Sequence, residues 1–455
     1  MDSPIRYVTD VPYIAGFTAE ISPDWLDLVA EVSGFVPPRR AKGEAFAWCE
    51  LGCGPGMAPI VFAATHPEGT FHAVDAMPDH IARGRKIAES AGLDNLAFHA
   101  LDFAAATDLD LPGFQYIVAH GVYAWIDEAA AASLRRFVDR HLAPGGLLYV
   151  SYNAMPGWAA DMPFQHLVYN LAEGQAGDSV ARFAAAAAIV ERMLKAGAVA
   201  LAMSPIASSL EEQKAKKPES YFAHEYLAPA WRPRYVIDVR REMAEIGLAP
   251  VGSATLRDNF DNFVLRKAAR EALAEIEDPD QRELIRDHFM FQRFRRDVYG
   301  RDVARLDDED RRNRLIETSF ALMRPPGLVA FKMATEAGEL GFDNPVARQI
   351  VARLADGPAR LRDCVGAETS EQDVLANALS LCCAGAIWPA GRAAPVDRVN
   401  RALLDELDAN TETTFRVLPW GTALRFDGTI LVALRDGKET PEGVRPWIEF
   451  LRKLG

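Results

Sequence analysis

Cysteine is scarce in this chain: five in 455 residues, none in a Cys-x-x-Cys pair and two adjacent, Cys382 and Cys383. That usage excludes a disulfide framework and a structural zinc site, and it points to a reducing, cytoplasmic setting. Long apolar runs are also missing, and a membrane helix needs about eighteen or more uncharged apolar residues, so no membrane insertion is expected. The opening Met1-Asp2-Ser3-Pro4-Ile5-Arg6-Tyr7 lacks the basic and apolar regions of a signal peptide. Basic charge is in deficit, with 50 Lys and Arg against 64 Asp and Glu and a net charge of −14. General nucleic-acid binding is therefore excluded, because neutralising phosphates takes a basic face. The densest arginine stretch, Arg293 to Arg314, is interleaved with Asp297, Asp302, Asp307, Asp308, Glu309 and Asp310 and reads as a solvated helix face. There is no His-Glu-x-x-His, no Gly-x-Ser-x-Gly elbow and no phosphate-binding Gly-Lys-Ser/Thr loop. His224-Glu225 is only a fragment of a metal motif, and no metal is expected.

What is present is an alternation of short apolar runs with helical ones. Residues 24–35 place Trp25, Leu28, Val29 and Val32 on one helical face, and Pro37-Pro38 stops that helix. Residues 45–51, 70–74, 96–100, 116–119 and 146–152 then read as strands, with helices over 80–91 and 129–142 between them. Such alternation predicts an α/β doubly wound, mostly parallel sheet. An alanine-rich helical insertion occupies about 162–230. Residues 248–256 and 262–267 read as an antiparallel terminal hairpin turning at Arg257-Asp258-Asn259. Residues 271–323 are charged and helical, and Arg324-Pro325-Pro326-Gly327 marks a boundary. Beyond it, helices at 344–355, 361–365 and 370–385 and strands near 386–388 and 424–434 suit a winged-helix-like domain. The expected domains are thus 1–268, 269–326 and 327–455.

The chemistry gathers at strand ends. In Glu50-Leu51-Gly52-Cys53-Gly54-Pro55-Gly56, glycines alternate after an apolar strand, so a ligand can approach the backbone. A dinucleotide fingerprint in the frame of Gly52 requires glycine at position 57, which is Met57. The spacing favours S-adenosylmethionine over NAD, with Glu50 able to contact its ammonium. Asp75 closes the second strand, where a carboxylate accepts both ribose hydroxyls; Asp102 and Phe103 follow the third and suit an adenine. The fourth and fifth strands end in His120-Gly121-Val122-Tyr123-Ala124-Trp125 and Ser151-Tyr152-Asn153-Ala154-Met155-Pro156-Gly157-Trp158. These aromatic, imidazole and amide groups, His120, Tyr123, Asn153 and Trp158 foremost, suit a pocket that shields a sulfonium and guides an amine. Core packing is the competing account for Trp125 and Trp158.

Those two segments, with Tyr221-Phe222-Ala223-His224-Glu225-Tyr226-Leu227 and Phe291-Gln292-Arg293-Phe294-Arg295-Arg296-Asp297, resemble bacterial class I methyltransferases that carry a methyltransferase regulatory domain, protein-lysine methyltransferases among them. The resemblance implies a Rossmann-like sheet whose Glu50, Gly52, Gly54, Gly56, Asp75 and Asp102 hold the cofactor and whose His120 and Tyr123 line it. It also makes Tyr13, in Val11-Pro12-Tyr13, a lid candidate, although the following Ile14 to Ile21 departs from the family's Pro-rich, His-containing stretch. A protein lysine is the implied acceptor. A small molecule or a surface glycan is the alternative, and a non-catalytic cofactor-binding regulator is a third reading. Self-association is left open.

Overall fold

The computed structural model describes residues 8, 10–11, 16–39, 43–406, 413–427 and 445–454. Seven strands build the central sheet: β1 (Phe46–Leu51), β2 (Gly69–Asp75), β3 (Leu96–Ala100), β4 (Phe114–Ala119), β5 (Leu142–Asn153), β6 (Ala249–Ser253) and β7 (Phe294–Gly300). Their spatial order is β3-β2-β1-β4-β5-β7-β6, with the first five parallel and β7 antiparallel to both neighbours. All five strands read from the apolar runs are present. The order reverses between β1 and β4, where an open α/β sheet leaves a crevice at the strands' carboxyl ends.

Both faces of the sheet are covered, which is why β1 is buried at every position. Its side chains alternate: Phe46 and Trp48 join one core, while Ala47, Cys49 and Leu51 join the other. The first core is closed by helices α1 (Pro23–Val32), α2 (Met57–Thr65) and α3 (Pro78–Ala91). The second is closed by α4 (Phe103–Thr107), α5 (Glu128–His141) and the later helix Val236–Ala244. Local chemistry starts these helices. Ser22 caps α1 by accepting from the Trp25 amide at 3.2 Å, with Pro23 preset at the first helical position. Asp127 caps α5 by accepting from the Ala130 amide at 3.0 Å.

Between β5 and β6 the insertion folds as Met162–Glu173, Ser179–Lys195, Val199–Ala202, Pro205–Ser208, Leu210–Lys214 and Glu219–Tyr226. It has its own core, in which Phe164, Phe183, Phe222 and Tyr226 lie ring to ring at 5.3–6.3 Å.

Three expectations are corrected here. The strand that pairs with β6 is not 262–267, which folds as the helical turn Asp261–Val264 and the start of the helix Lys267–Ala274. It is β7, after a further helix, Pro279–Met290. The reason lies in Asn259: its side chain accepts from the Ser253 amide at 2.8 Å and donates to the Ser253 and Leu256 carbonyls at 2.8 and 3.1 Å. Those bonds close the chain into a turn and occupy the groups a hairpin partner would use. Segment 269–326 is accordingly not helical throughout, because it contributes β7 to the sheet. Nor is Arg295 on a solvated helix face. It is buried in β7, with its guanidinium shared among Glu283, Asp287 and Asp297.

Past residue 318 three short strands, Ser319–Leu322, Ala359–Arg360 and Ile387–Pro389, form an antiparallel sheet with the first in the middle. Around it lie Pro345–Leu354, the 3-10 turn Leu361–Cys364 and Glu371–Cys383, at the positions read from the sequence. The strand expected at 424–434 appears as Thr422–Asp427, and its remainder lies outside the described residues. This region shares one continuous core with α1, α2 and α3. Trp388 stacks on Trp25 with centroids 3.7 Å apart, and the Trp25 indole N–H reaches the Ala254 carbonyl at 2.8 Å.

Candidate functional site

The turn after β1 holds three glycines with left-handed backbones, at φ of 77° for Gly52, 53° for Gly54 and 74° for Gly56. A Cβ on Gly52 would lie 2.5 Å from Val122 Cγ2, and one on Gly56 would lie 2.4 Å from Phe98 Cε1. One on Gly54 would meet nothing within 4 Å. Internal packing therefore excludes side chains at two of these positions, and only Gly54 faces open space. The Gly52 contact also fixes the segment after β4 directly against the turn.

Asp75, at the end of β2, accepts from the Gly54 amide at 2.8 Å and from the Met77 amide at 2.9 Å, and His80 Nδ1 lies 3.2 Å away. Glu50 sits beside it, 5 % exposed, with Oε2 buried and unpartnered among the described residues. Burial, then the neighbouring Asp75, pushes the Glu50 carboxyl well above its usual range. A buried acceptor left in this state is unfavourable in the free protein and is relieved by a cationic donor. Asp102 is exposed and caps α4 through the Ala105 amide at 2.7 Å, while Phe103 is half-buried. The structure thus brings Glu50, the glycine turn, Asp75 and His120 to the same end of the sheet.

His120 ends β4. Its Nδ1 lies 2.8 Å from the Tyr149 hydroxyl and 3.3 Å from Ser151 Oγ, and its ring meets Phe294 edge-on at 6.0 Å. Burial, then the Arg296 charge, holds the imidazole down to about 3. Asn153 ends β5 with its Nδ2 buried and unpartnered among the described residues. Its carbonyl accepts from the Arg234 amide at 2.8 Å, and the Ala124 carbonyl accepts from the Arg232 amide at 2.8 Å. Segment 232–234 is thereby strapped across the ends of β4 and β5.

Two candidates are placed differently from the sequence reading. The Tyr123 hydroxyl donates to Glu242 at 2.6 Å and accepts from Arg135 at 2.8 Å, a bridge between α5 and the helix Val236–Ala244. At 1 % exposure it ties the two helices together. Trp158 donates its indole N–H to the Arg293 carbonyl at 2.9 Å, stacks under the Arg293 guanidinium at 4.3 Å and packs on Trp231 at 5.0 Å. Its ring belongs to the insertion core. Tyr13 lies outside the described residues. The sequence reading did not single out Tyr149, and it gave Ser151, Phe294 and Arg296 within larger motifs without a role of their own. The period-two pattern of β5 could have flagged the first pair, which share a strand face. Among the described residues, no group of three His, Cys, Asp or Glu side chains could hold a metal.

Residues 42–224 match a methyltransferase domain, and residues 218–301 match a domain described as a predicted methyltransferase regulatory domain. The chain is 34 % identical over 355 residues to the uncharacterized protein sll1526 of Synechocystis sp., covering 78 % of this chain and 70 % of that one. It belongs to the class I methyltransferases with a regulatory domain. Trans-aconitate 2-methyltransferase of Methylobacterium nodulans is 32 % identical over 124 residues, covering 27 % of this chain and 42 % of that one. The structure of PKMT2 from Rickettsia typhi in complex with AdoHcy has the same fold, with a TM-score of 0.70 at 19 % identity over 97 % of this chain and 91 % of that one.

The methyltransferase takes S-adenosylmethionine as its cofactor. The residues present fit such a group: an orphaned carboxylate oxygen for an ammonium, an acidic strand end for hydroxyls and an open face at Gly54. In the methyltransferase the matched regulatory segment includes Val236–Ala244, β6 and β7. It therefore completes the catalytic domain's sheet.

Proposed function

We propose that this methyltransferase N-methylates lysine side chains of a protein substrate. Glu50 receives the cofactor's amino group, Gly54 gives it room, Asp75 takes the ribose hydroxyls, Asp102 and Phe103 meet the adenine, and His120 with Asn153 borders the acceptor. When bound, S-adenosylmethionine supplies an electrophilic methyl group on a sulfonium. The protein's part is positioning: an acceptor nitrogen held in line in a water-poor cleft gains most of its rate from fixed geometry. A lysine amine has an ordinary pKa of about 10.4 and must be unprotonated when it attacks, which a partly apolar cleft favours.

The single observation that carries the lysine reading is the extent of the shared fold. Likeness to PKMT2 spans 97 % of the chain, so it takes in the helical insertion and the C-terminal region as well as the sheet. The strap at 232–234 supports it, because it ties the chain between the insertion and the helix Val236–Ala244 to the segments that follow β4 and end β5. The helices Pro345–Leu354 and Glu371–Cys383 packed with the three-stranded sheet Ser319–Leu322, Ala359–Arg360 and Ile387–Pro389, beside the strand pair Lys332–Thr335 and Gly338–Gly341, support a winged-helix-like reading of the C-terminal region. The partial likeness to trans-aconitate 2-methyltransferase favours a second reading, a small-molecule acceptor. Incubating the purified enzyme with lysate and methyl-labelled cofactor separates the two. Label on lysine in a protein band supports the proposal, and label confined to the low-mass fraction refutes it.

A further inference from the structure

Beneath His120 lie two buried hydroxyls, Tyr149 and Ser151, both on β5 and both fully inaccessible. The Gly121 amide, which can only donate, donates to Ser151 Oγ at 2.8 Å. The Ser151 hydroxyl lies 3.3 Å from His120 Nδ1. Tyr149 Oη is 2.8 Å from that same nitrogen. No further acceptor for either hydroxyl proton is within reach among the described residues.

These contacts favour one state of the ring. If His120 Nδ1 carried the hydrogen, it would donate to a hydroxyl, and the two hydroxyl protons would lose the one acceptor that both can reach in a buried site. If Nδ1 is bare, it accepts from Tyr149 at 2.8 Å with Ser151 sharing it at 3.3 Å, while Ser151 Oγ accepts from the Gly121 amide. Every donor then has an acceptor. The hydrogen of the neutral ring is left on Nε2, which has no partner among the described residues.

We propose that Tyr149 and Ser151 are positioning residues that lock His120 as its Nε2–H tautomer, so that it offers the cleft a hydrogen-bond donor and not a base. The charged groups facing this assembly are Arg296 from β7, Glu50 from β1 and Glu20 from the 3-10 turn Ala19–Ile21. Burial and Arg296 both oppose a proton on His120, so its ring stays neutral at working pH. Phe294, from the regulatory segment, closes the ring's edge. Resting on the lysine reading, this means that His120 orients the acceptor without taking its proton, which leaves to solvent before the amine is aligned.

Two measurements test this. Long-range proton–nitrogen correlation spectra of histidine-labelled protein, with His120 assigned by the loss of its signals in H120N, report the tautomer directly between pH 5 and 8. A bare Nδ1, a protonated Nε2 and no titration are expected; an Nδ1–H tautomer, or a midpoint near 6.5, overturns the proposal. In methyl transfer to lysate protein, Tyr149→Phe is expected to lower kcat about tenfold, the worth of one buried hydrogen bond, with AdoHcy affinity held within about twofold. H120Q, which keeps a donor amide, should retain more activity than H120A. Unchanged kcat in Tyr149→Phe, or H120Q no better than H120A, refutes the role. Failure of wild type to label protein lysine would sink the lysine reading alone, since the spectra decide the tautomer independently.

Discussion

Substitutions in the glycine turn should separate folding from binding. Gly54 has a left-handed backbone and open space at its Cβ position, whereas Gly52 has the same backbone but a Cβ position 2.5 Å from Val122. A non-glycine residue in this conformation costs about 1–2 kcal/mol, so Gly54→Ala should lower stability by that amount and no more. Gly52→Ala adds an overpacking cost of about 1–3 kcal/mol, for a total near 2–5 kcal/mol. Thermal denaturation of both variants without cofactor reads this difference. Calorimetric titration with AdoHcy reads the other half. Gly54→Val projects its branches into the space proposed for the cofactor and should weaken binding at least about tenfold, or 1.4 kcal/mol. Equal stabilities of the two alanine variants would refute the packing argument. Wild-type AdoHcy affinity in Gly54→Val would falsify the placement of the cofactor.

Three further outcomes follow from the same geometry. Glu50 is raised above its ordinary range, so its charge weakens the free protein at neutral pH; Glu50→Gln should raise the apo melting temperature while reducing AdoHcy affinity, and a lower melting temperature contradicts this. His120 and His72 are depressed by burial to about 3 and about 4, so the unfolded chain binds protons first as pH falls below 6.5. Stability from these residues is full above pH 6.5 and falls toward pH 4; His120→Asn should flatten the loss between pH 7 and 5 by about 1–2 kcal/mol in urea titrations, since each pH unit is worth about 1.4 kcal/mol. Trp388→Ala removes the ring stacked on Trp25 and should destabilise the protein by about 3–5 kcal/mol, with early proteolysis within 319–454. A melting curve unchanged in that variant contradicts a shared core.

Much of the fold was legible because its signals are local. Apolar runs marked the first five strands, and the face shared by Trp25, Leu28, Val29 and Val32 marked α1. The turn from Glu50 to Gly56 and Asp75 was likewise readable, since a strand end and its turn are adjacent in sequence. What failed was non-local. The partner of β6 lies beyond two intervening helices, and Asn259 decides against the nearer candidate through bonds that only the folded chain brings together. Arg295 looked like a surface residue because two of its three carboxylates, Glu283 and Asp287, come from another element.

The site divides along the same line. Sequence alone pointed to the donor side through an alternating-glycine turn and an acidic strand end, while the reversal of strand order that opens a crevice between β1 and β4 belongs to the tertiary structure. The sequence also singled out His120, Tyr123, Asn153 and Trp158 by residue type. Only tertiary structure distinguished among them, committing Tyr123 to an interhelical bridge and Trp158 to the insertion core, and setting His120 over Tyr149 and Ser151. The physical reason is that a side chain's role depends on which partners satisfy its polar atoms. Those partners arrive from strands far apart in the chain.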